Sequence, residues 1–172
     1  MVGGVAANHV GAVATTTGAR VAWVPAVSSI LQEARITSGG DRLIVTGADV
    51  QPTVRSAVAG AYDAVSGAEL WRQVLASGTT PFRTGPVVRA GTRVIVAHNP
   101  GCPVGGGLAN LSLATGAIDA SWNPQVTPVS MALSGNTLYL GGFFQTGISD
   151  DTGNSPTVVR MVCSRPAPWS VP

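Results

Sequence analysis

The stretch Ile118 to Phe144, IDASWNPQVTPVSMALSGNTLYLGGFF, decides how this chain is read. It holds an outer strand, a crossing punctuated by Pro124 and Pro128, and two further strands, VSMALS and NTLYLGG, joined through Ser134-Gly135. Alternating apolar and polar residues, broken by Gly and Pro, are the signature of short half-buried strands. The parts of this stretch recur. Thr17-Gly18, Ser66-Gly67 and Thr115-Gly116 place their glycines 49 residues apart in both intervals, and Trp23, Trp71, Trp122 and Trp169 follow at intervals of 48, 51 and 47. Gly-rich turns before DRLIVTG, TRVIVAH and NTLYLGG keep the same phase. Two unrelated landmarks on one beat mean that one supersecondary unit of about four dozen residues is reused.

Laid out on that period, the chain opens within a unit. HVGAVATTTGARVAW matches the later SAVAGAYDAVSGAELW and GLANLSLATGAIDASW, so residues 1–27 form a half-unit of two strands. Residues 28–77 carry four strands, ARIT, DRLIVTG, SAVAGAYD and GAELWRQV. Residues 78–126 repeat them as GPVVRA, TRVIVAH, GLANLSL and GAIDASW. Residues 127–172 give VSMALS, NTLYLGG and TVVRMVC, with the Pro-broken tail SRPAPWSVP in place of a fourth strand. Only Val27 to Ile36, with Ile30, Leu31 and Ala34, has the spacing of a short helical turn; little helix is expected. The expected fold is all-β, a β-propeller-like array of four-stranded antiparallel blades, about three blades plus a half-blade in one partial domain. A β-sandwich is the alternative, but it does not require a four-strand period.

Composition bounds the function. The chain has 172 residues, 45% of them hydrophobic and only 10% charged, with a net charge of +2 carried by scattered arginines and no lysine. No basic run tracks a phosphate backbone, so nucleic acid is not an expected partner. No apolar run approaches the roughly 20 residues of a membrane span. The first 22 residues are small and apolar but lack a positive leading segment, and from His9 they match the repeat, so they read as structure and not as a signal peptide.

The motif residues carry a family resemblance. Ala61-Tyr62-Asp63-Ala64-Val65-Ser66-Gly67-Ala68-Glu69-Leu70-Trp71 resembles the A-x-D-x-x-T-G-x-x-x-W blade motif of quinoprotein-like propellers, with Ser for Thr. IDASWNP followed by VSMALSGNTLYLGGFFQTG is similar to the delta-60 class of bacterial propeller repeats, with Trp122 where Phe is usual. The first and third units depart from the motif, with Ala14 and Ser112 in place of Asp63. Their tryptophans stand one and two residues further along. The resemblance implies an exported or cell-surface bacterial repeat protein, its propeller completed by further blades of a longer chain or by a second chain. On function the motifs are nearly silent; the degenerate repeats, the sparse charge and the lack of a catalytic set lead to the expectation of a non-catalytic binding or scaffolding module with a protein or carbohydrate partner. The alternative is a fragment of a propeller enzyme, quinone-dependent or polysaccharide-active, whose active residues lie elsewhere.

No catalytic set, cofactor or metal site is expected from the residues. There is no G-x-S-x-G, H-E-x-x-H, phosphate-binding loop or dinucleotide fingerprint. His9 and His98 have no Cys, His, Asp or Glu at ligand spacing. The period-locked tryptophans Trp23, Trp71, Trp122 and Trp169 are read as blade-docking residues. Cys102 and Cys163 either pair across units in an exported protein or stand as a loop thiol and a buried strand thiol; titrating unreduced, unfolded protein separates the two. Asp150, Asp151 and Asn154 lack the alternating carboxylates of a calcium loop. If there is a ligand face, it lies on the loops 48–55, 99–106 and 143–156. Their candidate residues are Asp49, Arg55, His98, Asn99, Gln145, Asp150, Asp151 and Asn154.

Overall fold

The computed structural model describes residues 10–23, 25, 31–50, 53–78, 83–99, 107–122, 124, 126, 128–143 and 156–162. Among them the regular structure is all strand, in four antiparallel sheets that follow one another along the chain. Sheet I pairs β1 (Ala12–Val13) with β2 (Arg20–Val21). Sheet II runs in order β3 (Leu31–Ser38), β4 (Arg42–Val50), β5 (Arg55–Asp63) and β6 (Glu69–Gly78). Sheet III contains β7 (Arg83–Ala90), β8 (Arg93–Asn99) and β9 (Gly107–Ser112). Sheet IV contains β10 (Ser130–Ser134), β11 (Thr137–Phe143) and β12 (Pro156–Val162).

Each strand is paired with the next in sequence, so every sheet is a simple meander. The first two strands of sheets III and IV turn through two residues, Gly91-Thr92 and Gly135-Asn136, between the paired residues Ala90 and Arg93, and Ser134 and Thr137. Such tight hairpins need a left-handed residue, supplied by Gly91 at φ 62 and Gly135 at φ 55.

Sheets stack because their central strands are apolar on both faces. In β4, Val45 joins a cluster with Val10 and Trp23 of the first unit and Leu31, Val58 and Tyr62 of sheet II. The next residue back, Ile44, points the other way and meets Val94, Val96, Ala109 and Leu111 of sheet III. In β8 the alternation repeats: Val94 and Val96 face sheet II, whereas Ile95 and Ala97 face Leu138 and Leu140 of sheet IV. The period of two in a strand therefore splits LIV and VIVA between two cores. β5 is built small, with Ala57, Ala59, Gly60 and Ala61, which lets neighbouring sheets come close. The first strands of successive sheets approach one another, β3 on β7 and β7 on β10.

Three sequence expectations are corrected. The third unit does not form a fourth strand: GAIDASW contributes only an isolated bridge, Leu111 to Ile118. The chain still follows β9, with the Asp119 N–H donating to the Asn110 carbonyl at 2.8 Å and the Leu108 N–H to the Pro124 carbonyl at 3.4 Å. Between them, Asp119 Oδ1 accepts from the Ser121 N–H and Oγ, and the Trp122 N–H donates to the Asp119 carbonyl, so the chain curls out of the ladder. The two residues by which Trp122 is displaced are absorbed in that curl, and Pro124 has no N–H with which to resume pairing. Second, the helical spacing in Val27 to Ile36 does not produce helix over its described part; from Leu31 the chain is in β3. Third, the two strands expected in the half-unit shrink to two-residue ladders. The tail SRPAPWSVP lies outside the described residues.

Candidate functional site

The recurring Thr-Gly or Ser-Gly element is one turn built three times. Its glycine N–H donates to the carbonyl four residues back, from Gly18 to Ala14, Gly67 to Asp63 and Gly116 to Ser112, at 2.8–3.0 Å. The residue four before the glycine returns its own N–H to the carbonyl just after it, from Ala14 to Ala19, Asp63 to Ala68 and Ser112 to Ala117, each at 2.8 Å. The hydroxyls of Thr17, Ser66 and Thr115 each accept from the N–H two residues on, at 3.2–3.3 Å. The left-handed glycine closes all three, at φ 67, 75 and 73.

The departures from the motif show as missing bonds. Asp63 Oδ1 accepts from the N–H groups of Val65 and Ser66 and from the Ser66 hydroxyl. Those bonds, led by the Ser66 N–H, hold its carboxyl below the usual range. Ser112 keeps a single bond, its Oγ accepting from the Thr115 N–H at 3.3 Å, and Ala14 has no side-chain acceptor. The motif's polar atoms are thus used within the turn.

The indoles bridge sheets. Trp23 Nε1–H donates to the Asp63 carbonyl at 3.1 Å, and Trp71 Nε1–H donates to the Leu113 carbonyl at 3.0 Å. Each therefore reaches the equivalent turn of the following sheet. Trp23 stands one residue later in its unit than Trp71 and accordingly finds a carbonyl one place earlier. The Trp71 ring also lies against Gly116: a Cβ built there would come within 2.6 Å of Cε3 and 2.7 Å of Cδ2. Arg42, held by the Asp41 carboxylate at 2.9 Å, adds a second donor to the Leu113 carbonyl at 3.2 Å. Trp122 packs in the third core beside Val126, Met131 and Leu133. Trp169 lies outside the described residues.

At the opposite end of the sheets, where β4 leads to β5 and β8 to β9, the ligand-face candidates separate. Asp49 lies on the sheet II face toward sheet I, in an ion pair with Arg72 that spans the small residues of β5. Arg55 is exposed at the start of β5, in step with Ala57, Ala59 and Ala61, and so on the face toward sheet III. His98 ends the row Val94, Val96, His98 on the facing surface. Arg55 and His98 therefore share one seam, and Asp49 does not. Asn99 is in β8 without a described side chain, and Gln145, Asp150, Asp151, Asn154, Cys102 and Cys163 lie outside the described residues.

That seam holds groups the sequence did not single out. Thr46 and Thr84 are 0% and 2% exposed, and their hydroxyls, like His98 Nδ1, are buried without a hydrogen-bond partner. Thr84 is the register partner of His98, and Thr46 stands two residues from Ile44 on the facing wall. Burial holds the His98 imidazole below its ordinary pKa, hence neutral at pH 7. Each buried unpaired polar atom costs about 1–3 kcal/mol, so three in one seam are a sizeable penalty. The signal was present: Thr46 interrupts an apolar strand on a face that otherwise carries Ile44 and Ala48. Elsewhere Tyr62 donates to Glu69 at 3.2 Å, and burial, reinforced by the Glu69 charge, pushes its phenol up to about 12.

Among the described residues no three His, Cys, Asp or Glu side chains are grouped to hold a metal, and no helix is long and apolar enough to cross a membrane. No protein-family model matches the chain, and no curated protein matches its sequence.

Proposed function

We propose that this chain is a non-catalytic β-propeller repeat module of an exported bacterial protein, serving in binding or as a scaffold. The observation that carries this reading is serial docking: the Trp23 and Trp71 indoles each lock onto the turn of the next sheet, and the polar atoms of the repeat motif are used inside those turns. Residues that recur with the period thus build the stack, which leaves recognition to the loops at the other end, the default place for function on a rigid scaffold. Close approach of the first strands of successive sheets is the arrangement expected of blades about an axis. The ligand face on this reading is the end bearing Arg55 and His98, and the partner is an extracellular protein or carbohydrate.

The test is retention of the purified chain on immobilised extracellular polysaccharides and surface proteins of bacteria, compared with the variant Arg55→Ala/His98→Ala. Retention that the variant loses supports the reading. Dye reduction by the chain after loading with a quinone cofactor and calcium, or cleavage of the polysaccharide, would replace it with the enzyme alternative.

A further inference from the structure

The three unpartnered polar atoms of the seam between sheets II and III are spread from its middle to one end, and none lies at the other end. Thr84 is near the start of β7 and His98 near the end of β8, while Thr46 is the middle residue of β4. The other end of the same seam is held firmly. There Trp71 Nε1 and Arg42 Nη1 both donate to the Leu113 carbonyl, and the Trp71 ring rests on Gly116. Between the ends lies an apolar contact of Ile44, Ala59 and Ala61 with Val94, Val96 and Leu111.

We propose that this seam is a hinged joint, clamped at the hairpin end by Trp71 and Arg42 and opening from Thr46, at the middle of one wall, toward the loop end, where Thr84 and His98 stand on the other. Closed, this part of the seam holds two hydroxyls and an imidazole nitrogen away from bulk solvent with no protein partner. Open, all three are hydrated, while the indole and guanidinium bonds at the far end persist. An interface with paired polar groups at one end and unpaired ones at the other yields first where hydration gains most. Backbone irregularity lies at the same end, with the ladder of β3 on β4 shifting between Gln32 and Arg35 and that of β7 on β8 between Thr84 and Val87. Bulges of this kind end regular pairing and re-aim side chains.

The charged residues on the walls near the opening end are Arg35, in register with Thr46, and Arg55; among the described residues no carboxylate faces them across the seam. Opening therefore uncovers a cleft of hydroxyls, an imidazole and two guanidiniums. It gives the ligand face proposed above a moving part, but the hinge stands on the unpaired atoms and not on that reading.

The test uses the full chain with Cys102 and Cys163 replaced by serine and one new thiol. Thr84→Cys places it at the opening end and Val94→Cys, equally buried, in the apolar contact on the side of the clamp. Under native conditions iodoacetamide should alkylate Thr84→Cys about ten-fold or more faster than Val94→Cys, as local opening differs from global unfolding. Adding Thr46→Val, which removes one unpaired hydroxyl, should slow the reaction of Thr84→Cys. Should Thr84→Cys not fold, Thr46→Cys on the facing wall repeats the comparison. Equal rates at the two positions would overturn the hinge, as would a Thr46→Val substitution in the natural chain that lowers Tm. Loss of polysaccharide or protein retention with the hinge intact would instead strike only the ligand reading.

Discussion

Replacing Gly116 with alanine brings two costs together, and the structure allows them to be separated. The residue sits at φ 73, so any side chain there is strained, by roughly 1–2 kcal/mol for a left-handed residue. The added methyl would also stand 2.6 Å from Trp71 Cε3, against a half-buried ring fixed by its bond to the Leu113 carbonyl. Overfilling a packed site costs typically about 1–3 kcal/mol. Gly91 supplies the control within the same sheet: its φ is 62 and a Cβ there meets nothing within 4 Å. Gly91→Ala should therefore cost only the backbone strain, and Gly116→Ala roughly 2–5 kcal/mol in all. The assay is urea unfolding followed by far-ultraviolet circular dichroism. A further variant, Gly116→Ala/Trp71→Ala, removes the obstructing ring. Trp71→Ala alone should cost about 3–5 kcal/mol, and the pair should be less destabilising than the sum of the singles. Equal costs for Gly91→Ala and Gly116→Ala, or strict additivity with Trp71→Ala, would refute the docking of the indole on the glycine.

Four further outcomes are expected. Trp71→Phe keeps the ring contact but loses the donor to the Leu113 carbonyl, and should cost about 1 kcal/mol in the same unfolding assay. His98 binds a proton less readily folded than unfolded, so stability should be level above the unfolded-state pKa of about 6.5 and fall as pH drops below it; His98→Gln should flatten that segment, leaving the separate loss at lower pH where the depressed carboxylates of Asp41, Asp63 and Asp119 protonate. Tyr62 has the opposite window: its phenol is raised from 10.0 to about 12, so the unfolded chain ionises first and stability should fall as pH rises through that interval, a slope that Tyr62→Phe removes. Asp63→Ala should lower Tm by stripping the turn of its side-chain acceptor, and Asp63→Ser, the residue the third unit uses, should restore part of the loss.

The strand content was legible because LIVTGA and VIVAH are short apolar runs rich in β-branched residues and bounded by turns, and because turn glycines recur at one spacing. The turn chemistry was legible too, since Asp63, Ser66 and Gly67 act within a few residues of one another. What failed was the fourth strand of the third unit. Apolar pattern alone did not weigh the pull of Asp119 on Ser121 against the ladder, although the two-residue delay of Trp122 marked the place. The spacing in Val27 to Ile36 misled for a similar reason, since Leu31 and Ala34 do pack on the first core, but from an extended strand. Cross-sheet partners were out of reach. Arg42 reaches a carbonyl 71 residues away, and the placing of Thr46, Thr84 and His98 in one seam depends on which sheet face meets which, information that only the stacked sheets hold.

The stacking itself is read most directly from the indole N–H signals of a 15N-labelled sample. If each sheet is locked to the next as described, the Trp23 and Trp71 indole protons exchange slowly with solvent, and Gly116→Ala speeds the exchange of Trp71 while leaving Trp23 unchanged. Rapid exchange at both indoles in the natural chain, or an equal response of the two to Gly116→Ala, would mean that the sheets are not docked through their tryptophans.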